Sequence, residues 1–269
     1  MSEALASFVT ALADDELVLG HRHSEWTGYA PHIEEDVAFS SIAQDEVGHA
    51  AALYTFAGQI LGEDADHLAF GRKPNEYRNA LLCERGNKDW AYTLARHWVY
   101  DTADEVRLES LESSSNRDLA ALATKMRREE RYHQIHADMW LKRIAQGPVE
   151  GRNKLIHALE EALRDASGLF ELLPEEERGI EEGWLPHRSE ELAGRFVAKA
   201  TSWLDGLGIP VGTHSTAGER AEFVASSSGD LIATDESAPS DEGATEGGGG
   251  RSGRHSSEFD DLWDVLTKT

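Results

Sequence analysis

Two short segments of the sequence combine a carboxylate and an imidazole at helical spacing. The segment IAQDEVGHAAALY (42–54) carries Glu46 and His49, and the segment MRREERYHQIHADMW (126–140) repeats the pattern with Glu130 and His133. Residues three apart on a helix lie on one face, so each pair can present an oxygen and a nitrogen to the same ion. This mixture of ligands suits iron, which can activate O2 where coordination positions stay open.

A single Glu-x-x-His pair is weak evidence, because a surface Glu beside a satisfied His produces the same pattern. Two such pairs on alternate helices of a bundle are more specific. Together with one carboxylate from each remaining helix, they build the di-iron or di-manganese site of ferritin-like proteins. The sequence therefore predicts a dinuclear metal site that needs two further carboxylates.

The elements that would position these residues are helical almost throughout, and no segment alternates convincingly as a strand. Long helices are predicted at 3–29, 33–61, 89–114 and 118–146, with short turns within each pair and a longer connection between the pairs. This order is typical of a four-helix bundle. We predict an all-α, ferritin-like four-helix bundle with additional helices near 151–173 and 188–207.

Composition divides the chain into three parts. Residues 1–208 form the predicted ferritin-like helical domain, and residues 209–257 are rich in Gly, Ser and acids, which is typical of a disordered linker. Residues 258–269 form a predicted short amphipathic helix, which we expect to dock on its own bundle or on a partner. The apolar residues of this helix share one face: Phe259, Leu262, Trp263 and Leu266.

The position of the turns selects the carboxylate of the third long helix. In an antiparallel hairpin, residues equidistant from the turn lie at the same level. The midpoint between Asp101 and Glu130 falls between Ser115 and Asn116, inside the polar turn SSSNR. Asp101 is therefore the predicted ligand, and Glu105, one turn further on, is the alternative.

The first long helix offers Glu25 as its carboxylate. The midpoint between Glu25 and Glu46 lies near Glu35, about four residues past the turn expected at Pro31, which is an offset of roughly 6 Å. His21 would lie closer to the level of Glu46, but a lone His on an apolar stripe is more often a packed core residue. The predicted ligand set is Glu25, Glu46, His49, Asp101, Glu130 and His133.

Charge and composition exclude several classes of protein. The 50 acidic and 26 basic residues give a net charge of −24, which argues against nucleic acid or an anionic membrane as a partner. Cys83 is the only cysteine, so a disulfide framework and a thiolate metal site are excluded. No apolar run approaches the length of a membrane span, and no signal peptide is visible. We predict a cytoplasmic protein.

Several longer stretches resemble one known family, the C subunit of phenylacetyl-CoA epoxidase, which is the ring-1,2-epoxidase of phenylacetate breakdown. The resemblance covers roughly residues 8–205 and returns in GRHSSEFDDLW. The stretches that carry it are DDELVLGHRHSEWTGYAPHIEEDVAFSSIA, DHLAFGR, EYRNALLCE and ERYH. In that family the di-iron centre lies in the A subunit, and the C subunit is its structural partner with a decayed site.

The resemblance is mixed at the ligand motifs. The AQDEVGH stretch and the HSE at residues 23–25 are similar to the catalytic A subunit, whereas the interval from Glu25 to Glu46 is the shorter one typical of C subunits. The framework therefore resembles the C subunit and the ligand set resembles the A subunit. Asp45 and His97 are possible supports for the ligands, and no catalytic residue is predicted.

The resemblance implies a subunit of a multicomponent phenylacetyl-CoA 1,2-epoxidase that binds a di-iron centre. Its implied partners are an A-type catalytic subunit and a reductase that delivers electrons, in a homo- or hetero-oligomer, with phenylacetyl-CoA and O2 as substrates. One alternative is a metal-free structural subunit that scaffolds an A-type partner. A further alternative is a stand-alone ferritin-like protein that handles iron or peroxide.

Overall fold

The structure, a computed structural model, describes residues 2–209, 212–214, 222–224 and 248–267. The described helices follow one another along most of this length. They are α1 (Glu3–Ser24), α2 (Ile33–Leu61), α3 (Ala65–Phe70), α4 (Leu81–Glu84), α5 (Trp90–Leu111), α6 (Arg117–Ala145), α7 (Val149–Asp165), α8 (Glu176–Glu182), α9 (Ser189–Gly206) and α10 (Ser257–Thr267). Two short strands, β1 (Gly212–His214) and β2 (Glu222–Val224), pair antiparallel within the predicted linker.

The four long helices α1, α2, α5 and α6 form the predicted bundle. Its two hairpins are α1–α2 and α5–α6, and α7 and α9 pack against α5. Helices α1 and α5 are buried on nearly every side, whereas α2 and α6 each keep an exposed face. The all-α fold class is confirmed, and none of the described helices is long and apolar enough to cross a bilayer.

Helix boundaries follow local capping chemistry. Asp89 and Asn116 accept backbone N–H groups at the starts of α5 and α6, and Gly62 ends α2 in the left-handed conformation. The first helix ends at Ser24, five residues before the predicted end. Beyond it the chain turns through Gly28, whose φ of 83° favours glycine and whose N–H donates to Asp36.

The apolar core is divided into two clusters along the bundle axis. On α1 one cluster includes residues up to Leu17 and the other begins at Val18. The other long helices show wider gaps between the two clusters, at 43–49 on α2, 104–107 on α5 and 127–136 on α6. Buried polar side chains fill these gaps, so a polar layer crosses the middle of the bundle.

The C-terminal residues 248–267 return to the bundle, although the sequence analysis assigned residues 248–257 to the linker. Phe259 is fully buried against the ring of Tyr77, and Arg251 is buried with its Nη2 at 2.6 Å from Asp15 Oδ2. The expected docking of α10 is on its own chain. Most of the predicted linker, at 210–211, 215–221 and 225–247, lies outside the described residues.

Candidate metal centre

Six side chains from the four long helices meet in the polar layer. We call them the six-residue cluster, and each is at most 3% exposed. Its members are Glu16 on α1, Glu46 and His49 on α2, Asp101 on α5, and Glu130 and His133 on α6. Every long helix therefore contributes at least one carboxylate to the cluster.

Glu130 lies between the two imidazoles of the cluster. Its Oε1 is 3.2 Å from His49 Nδ1 and its Oε2 is 3.2 Å from His133 Nδ1, while Glu16 Oε2 is 3.4 Å from His49 Nδ1. One carboxylate thus faces both imidazole nitrogens, as expected of a group that bridges two ions.

Most ligand atoms of this cluster have no hydrogen-bond partner. The carboxylates and imidazoles are close together, yet they are not aligned for hydrogen bonds. The unpartnered buried atoms are Glu16 Oε2, Glu46 Oε1, both carboxylate oxygens of Asp101 and Glu130, and Nδ1 of His49 and His133. Buried polar atoms without partners are costly, so their convergence on one place indicates a binding site for cations. The set fits a pair of divalent ions.

The outer nitrogens of both imidazoles face carboxylates on the opposite helix. His49 Nε2 is 2.9 Å from Glu129 Oε2, and His133 Nε2 is 3.2 Å from Asp45 Oδ2. Glu129 directly precedes Glu130 in the sequence but contacts His49 on α2. In the same way, Asp45 directly precedes Glu46 but contacts His133 on α6. A carboxylate on Nε2–H leaves the lone pair on Nδ1, which is the tautomer that a metal site requires. Asp45, which the sequence analysis named as a possible support, thus faces the outer nitrogen of His133.

The carboxylates of the cluster are also held from outside. Tyr100 donates its hydroxyl to Glu16 Oε1 at 2.7 Å, and His23 Nδ1 lies 2.9 Å from Glu46 Oε2. His97, the other possible support named from the sequence, has its Nδ1 3.3 Å from Asp101 Oδ1, without a hydrogen bond between them. These contacts restrict the ligand side chains before any ion is bound.

Within the described residues, no Lys or Arg forms an ion pair with a cluster carboxylate. Burial raises the pKa of Glu46 and of Asp101 well above the usual carboxyl range. Burial alone would lower the pKa of His49 and His133, but Glu130 and the other carboxylates outweigh it and raise these pKa values to about 12 and about 10. Protons on these groups can therefore balance the charge of the cluster, and bound cations would take their place.

Comparisons with known proteins identify the family of this chain. Residues 1–234 match the model of the phenylacetic acid catabolic protein family. The chain is also 34% identical over 168 residues to the C subunit of 1,2-phenylacetyl-CoA epoxidase from Escherichia coli (strain K12), an alignment that covers 62% of this chain and 68% of that protein. The chain belongs to the phenylacetic acid catabolic protein family. The resemblance predicted from the sequence is confirmed.

In this member of the family, the structure does not bring Glu25 into the cluster. Glu25 caps the end of α1, where its side chain is 36% exposed and accepts hydrogen bonds from Arg22 and Asn87. Glu16 occupies the expected position instead, nine residues earlier and roughly 13 Å away along the helix axis. Glu16, rather than Glu25, is therefore the α1 carboxylate that the structure places beside the other candidate ligands.

A sequence signal for Glu16 exists, although the prediction missed it. The midpoint between Glu16 and Glu46 is residue 31, which is Pro31, the expected turn itself. The same rule selected Asp101 correctly for the cluster, whereas Glu105, the alternative, pairs with Lys199 at the surface. The sequence analysis did not select Glu16 because it is the last of three consecutive acids, Asp14 to Glu16, and such a run looks like a solvated helix face.

The composition of the cluster defines its chemistry. Four carboxylates and two imidazoles form an oxygen-rich site suited to iron or manganese. Two surface clefts, of about 570 and 480 Å3, lie along α6 and between α6 and α9, and none of the cluster residues lines them. The cluster is thus an enclosed candidate metal centre between two apolar layers.

Proposed function

We propose that this chain is a subunit of a multicomponent phenylacetyl-CoA 1,2-epoxidase in phenylacetate catabolism, and that its six-residue cluster holds a di-iron centre. The family membership and the relative from Escherichia coli support the first part. One observation carries the second part: four buried carboxylates converge without a guanidinium or ammonium partner among the described residues. Electrons would come from a separate reductase.

Each cluster residue has a role that follows from its contacts. Glu130, which faces both imidazoles, would hold the centre together with His49 and His133, and Glu16 and Asp101, which lie beside Tyr100 and His97, would add their carboxylates. A di-iron centre of this composition supplies activation of O2 when it is bound. The chain's own part is to fix the ligand geometry and exclude water, which the apolar clusters above and below achieve.

A metal-free structural subunit that scaffolds an A-type catalytic partner is the second candidate. The enclosed position of the cluster favours it, because the two large surface clefts include none of the six residues and a substrate would need a route to the centre. Under either candidate the chain works beside an A-type subunit in the cytoplasm. The stand-alone ferritin-like alternative rests on the ligand set alone and stays a prediction.

Metal content separates the two candidates. We would purify the chain from iron-supplemented cells and measure metals by elemental analysis, together with the variants Glu46→Ala/His49→Ala and Glu25→Gln. We expect about two irons per chain in the wild type and in Glu25→Gln, and none in the double variant. A folded wild type without iron would instead support the scaffold.

Activity tests the assignment to the epoxidase. The chain is combined with an A-type subunit and a reductase, and consumption of phenylacetyl-CoA is followed with and without this chain. We expect turnover only when it is present. Loss of turnover in Glu46→Ala/His49→Ala, with assembly of the complex intact, would assign redox chemistry to this subunit rather than a scaffolding role.

A further inference from the structure

A second set of buried ligand atoms lies beside the six-residue cluster. We call it the nitrogen-rich group, and it consists of His23, His97 and Glu46, each at most 1% exposed. One ligand atom from each lies within 4.8 Å of the others. His23 Nδ1 is 2.9 Å from Glu46 Oε2, and the rings of His23 and His97 are 5.1 Å apart at 89°.

The imidazoles of this group have free nitrogens. His23 Nε2 and both ring nitrogens of His97 are buried without a hydrogen-bond partner. A neutral imidazole carries one lone pair on nitrogen, and a buried lone pair without a donor is unusual.

A third imidazole borders the group in the arrangement seen at the six-residue cluster. His136 Nε2 is 2.8 Å from Glu35 Oε2, while its Nδ1 is buried without a partner. Its ring lies 5.8 Å from that of His97. A carboxylate on the outer nitrogen and a free inner nitrogen are the features that hold a metal-binding His in its required tautomer.

The spacing is close to what a small divalent ion needs. Ligand atoms around a tetrahedral zinc ion at 2.0–2.1 Å lie about 3.4 Å from one another. The three atoms of the group are within 4.8 Å, so movements of about 1 Å would bring them to that distance. Adjustments of this size need only small changes of the side-chain torsions.

We propose that His23, His97 and Glu46 form a further cation site, for a nitrogen-preferring divalent ion such as Zn2+, that shares Glu46 with the six-residue cluster. Two imidazoles and one carboxylate favour ions late in the first transition series, whereas four carboxylates suit iron or manganese. The site does not depend on iron in the cluster, so it goes beyond the proposed function. His136 is its candidate fourth ligand.

The test uses a background in which the cluster has lost its imidazoles, the full-length variant His49→Ala/His133→Ala. It is equilibrated with Zn2+, and bound zinc is counted by native mass spectrometry. X-ray absorption then counts the imidazoles around the bound zinc. We expect one zinc per chain with at least two imidazoles, and at least 100-fold weaker binding when His23→Asn/His97→Asn is added.

Matched controls keep the test decisive. His157→Asn removes an exposed imidazole on α7 and is expected to leave zinc binding unchanged. Circular dichroism tests whether each variant is folded. If a multiple variant is unfolded, the single variant His97→Asn in the wild-type chain is used in its place. Zinc binding that survives the loss of His23 and His97, or zinc without imidazole scattering, would overturn the proposal. Neither result bears on iron in the six-residue cluster.

Discussion

Three consecutive acids on α1, Asp14, Asp15 and Glu16, are all buried, yet their surroundings differ completely. Asp14 and Asp15 are neutralised by arginines from distant parts of the chain. Asp14 pairs with Arg72, and its Oδ2 also accepts the backbone N–H of Arg78 at 2.7 Å. Asp15 pairs with two guanidinium groups, those of Arg107 and Arg251.

Glu16, the next residue, has no such cation. Its Oε1 accepts the hydroxyl of Tyr100, and its Oε2 faces His49 without a hydrogen bond. Burial of a carboxylate is therefore not in itself a sign of metal binding. The distinguishing feature is whether the chain supplies a fixed positive charge, because a carboxylate without one needs a proton or a bound ion.

The largest effect is expected when one of the arginines that neutralise Asp15 is removed. Arg251→Met leaves Asp15 without one of its two buried guanidinium partners, and we expect the free energy of unfolding to fall by about 3–5 kcal/mol. Urea unfolding measures this change, with Arg251→Lys as the matched variant that keeps the charge. The metal content of the folded fraction should stay that of the wild type, and a selective loss of metal would contradict the distinction.

The opposite change removes the unneutralised carboxylate. Glu16→Gln should reduce bound iron from about two per chain to at most one, because His49 loses a neighbouring ligand. The metal-free variant should be as stable as the metal-free wild type or more stable, since one of several converging carboxylates is gone. Elemental analysis and thermal unfolding check both statements. A variant that is less stable than the wild type but keeps its metal would contradict this, and would show that Glu16 has a structural role like that of Asp14 and Asp15.

A smaller effect is expected from the acids outside the cluster. Glu129→Gln removes the carboxylate that faces His49 Nε2 and should weaken metal binding by 10- to 100-fold. Competition with a chelator of known affinity measures the loss. Asp45→Asn, at His133, should behave alike. Unchanged affinity in both variants would show that these contacts are only surface ion pairs.

The smallest effect is predicted for Glu25→Gln, which changes the α1 residue that the sequence analysis predicted as a metal ligand. Glu25 is 36% exposed, and its buried partner Arg22 also donates to the backbone oxygens of Glu84 and Glu258, so the free energy of unfolding should change by less than about 1 kcal/mol. Metal content should be that of the wild type. Iron loss in this variant, alongside normal iron in Glu16→Gln, would restore the original prediction and reverse the assignment on α1.

Much of the fold follows from local signals in the sequence. Helical periodicity and the turns predicted α2 to the residue and the other long helices within a few residues, apart from the end of α1, where Gly28 turns the chain. The two Glu-x-x-His motifs and Asp101 meet in one layer because each lies at the right distance from its turn. The metal that they would bind stays a prediction.

The remaining features depend on contacts distant in sequence. Asp14, Asp15 and Glu16 look alike in the sequence, and only the folded chain shows that arginines reach the first two. The docking of residues 248–257 was missed for a similar reason. Gly- and Ser-rich composition indicates a flexible segment, and Arg251 is held there by a carboxylate that no local pattern reveals.

The pairing of Asp15 with Arg251 also has a consequence for the order of folding. The two residues are separated by 236 positions, so the contact is non-local, and folding that depends on non-local contacts is slow. A ribosome that adds about 5–20 residues per second needs about 12–50 s to reach Arg251 after it has made Asp15. During that time α1 has been synthesised but its charge is only partly neutralised. The first helix of the bundle is therefore among the last to reach its final environment.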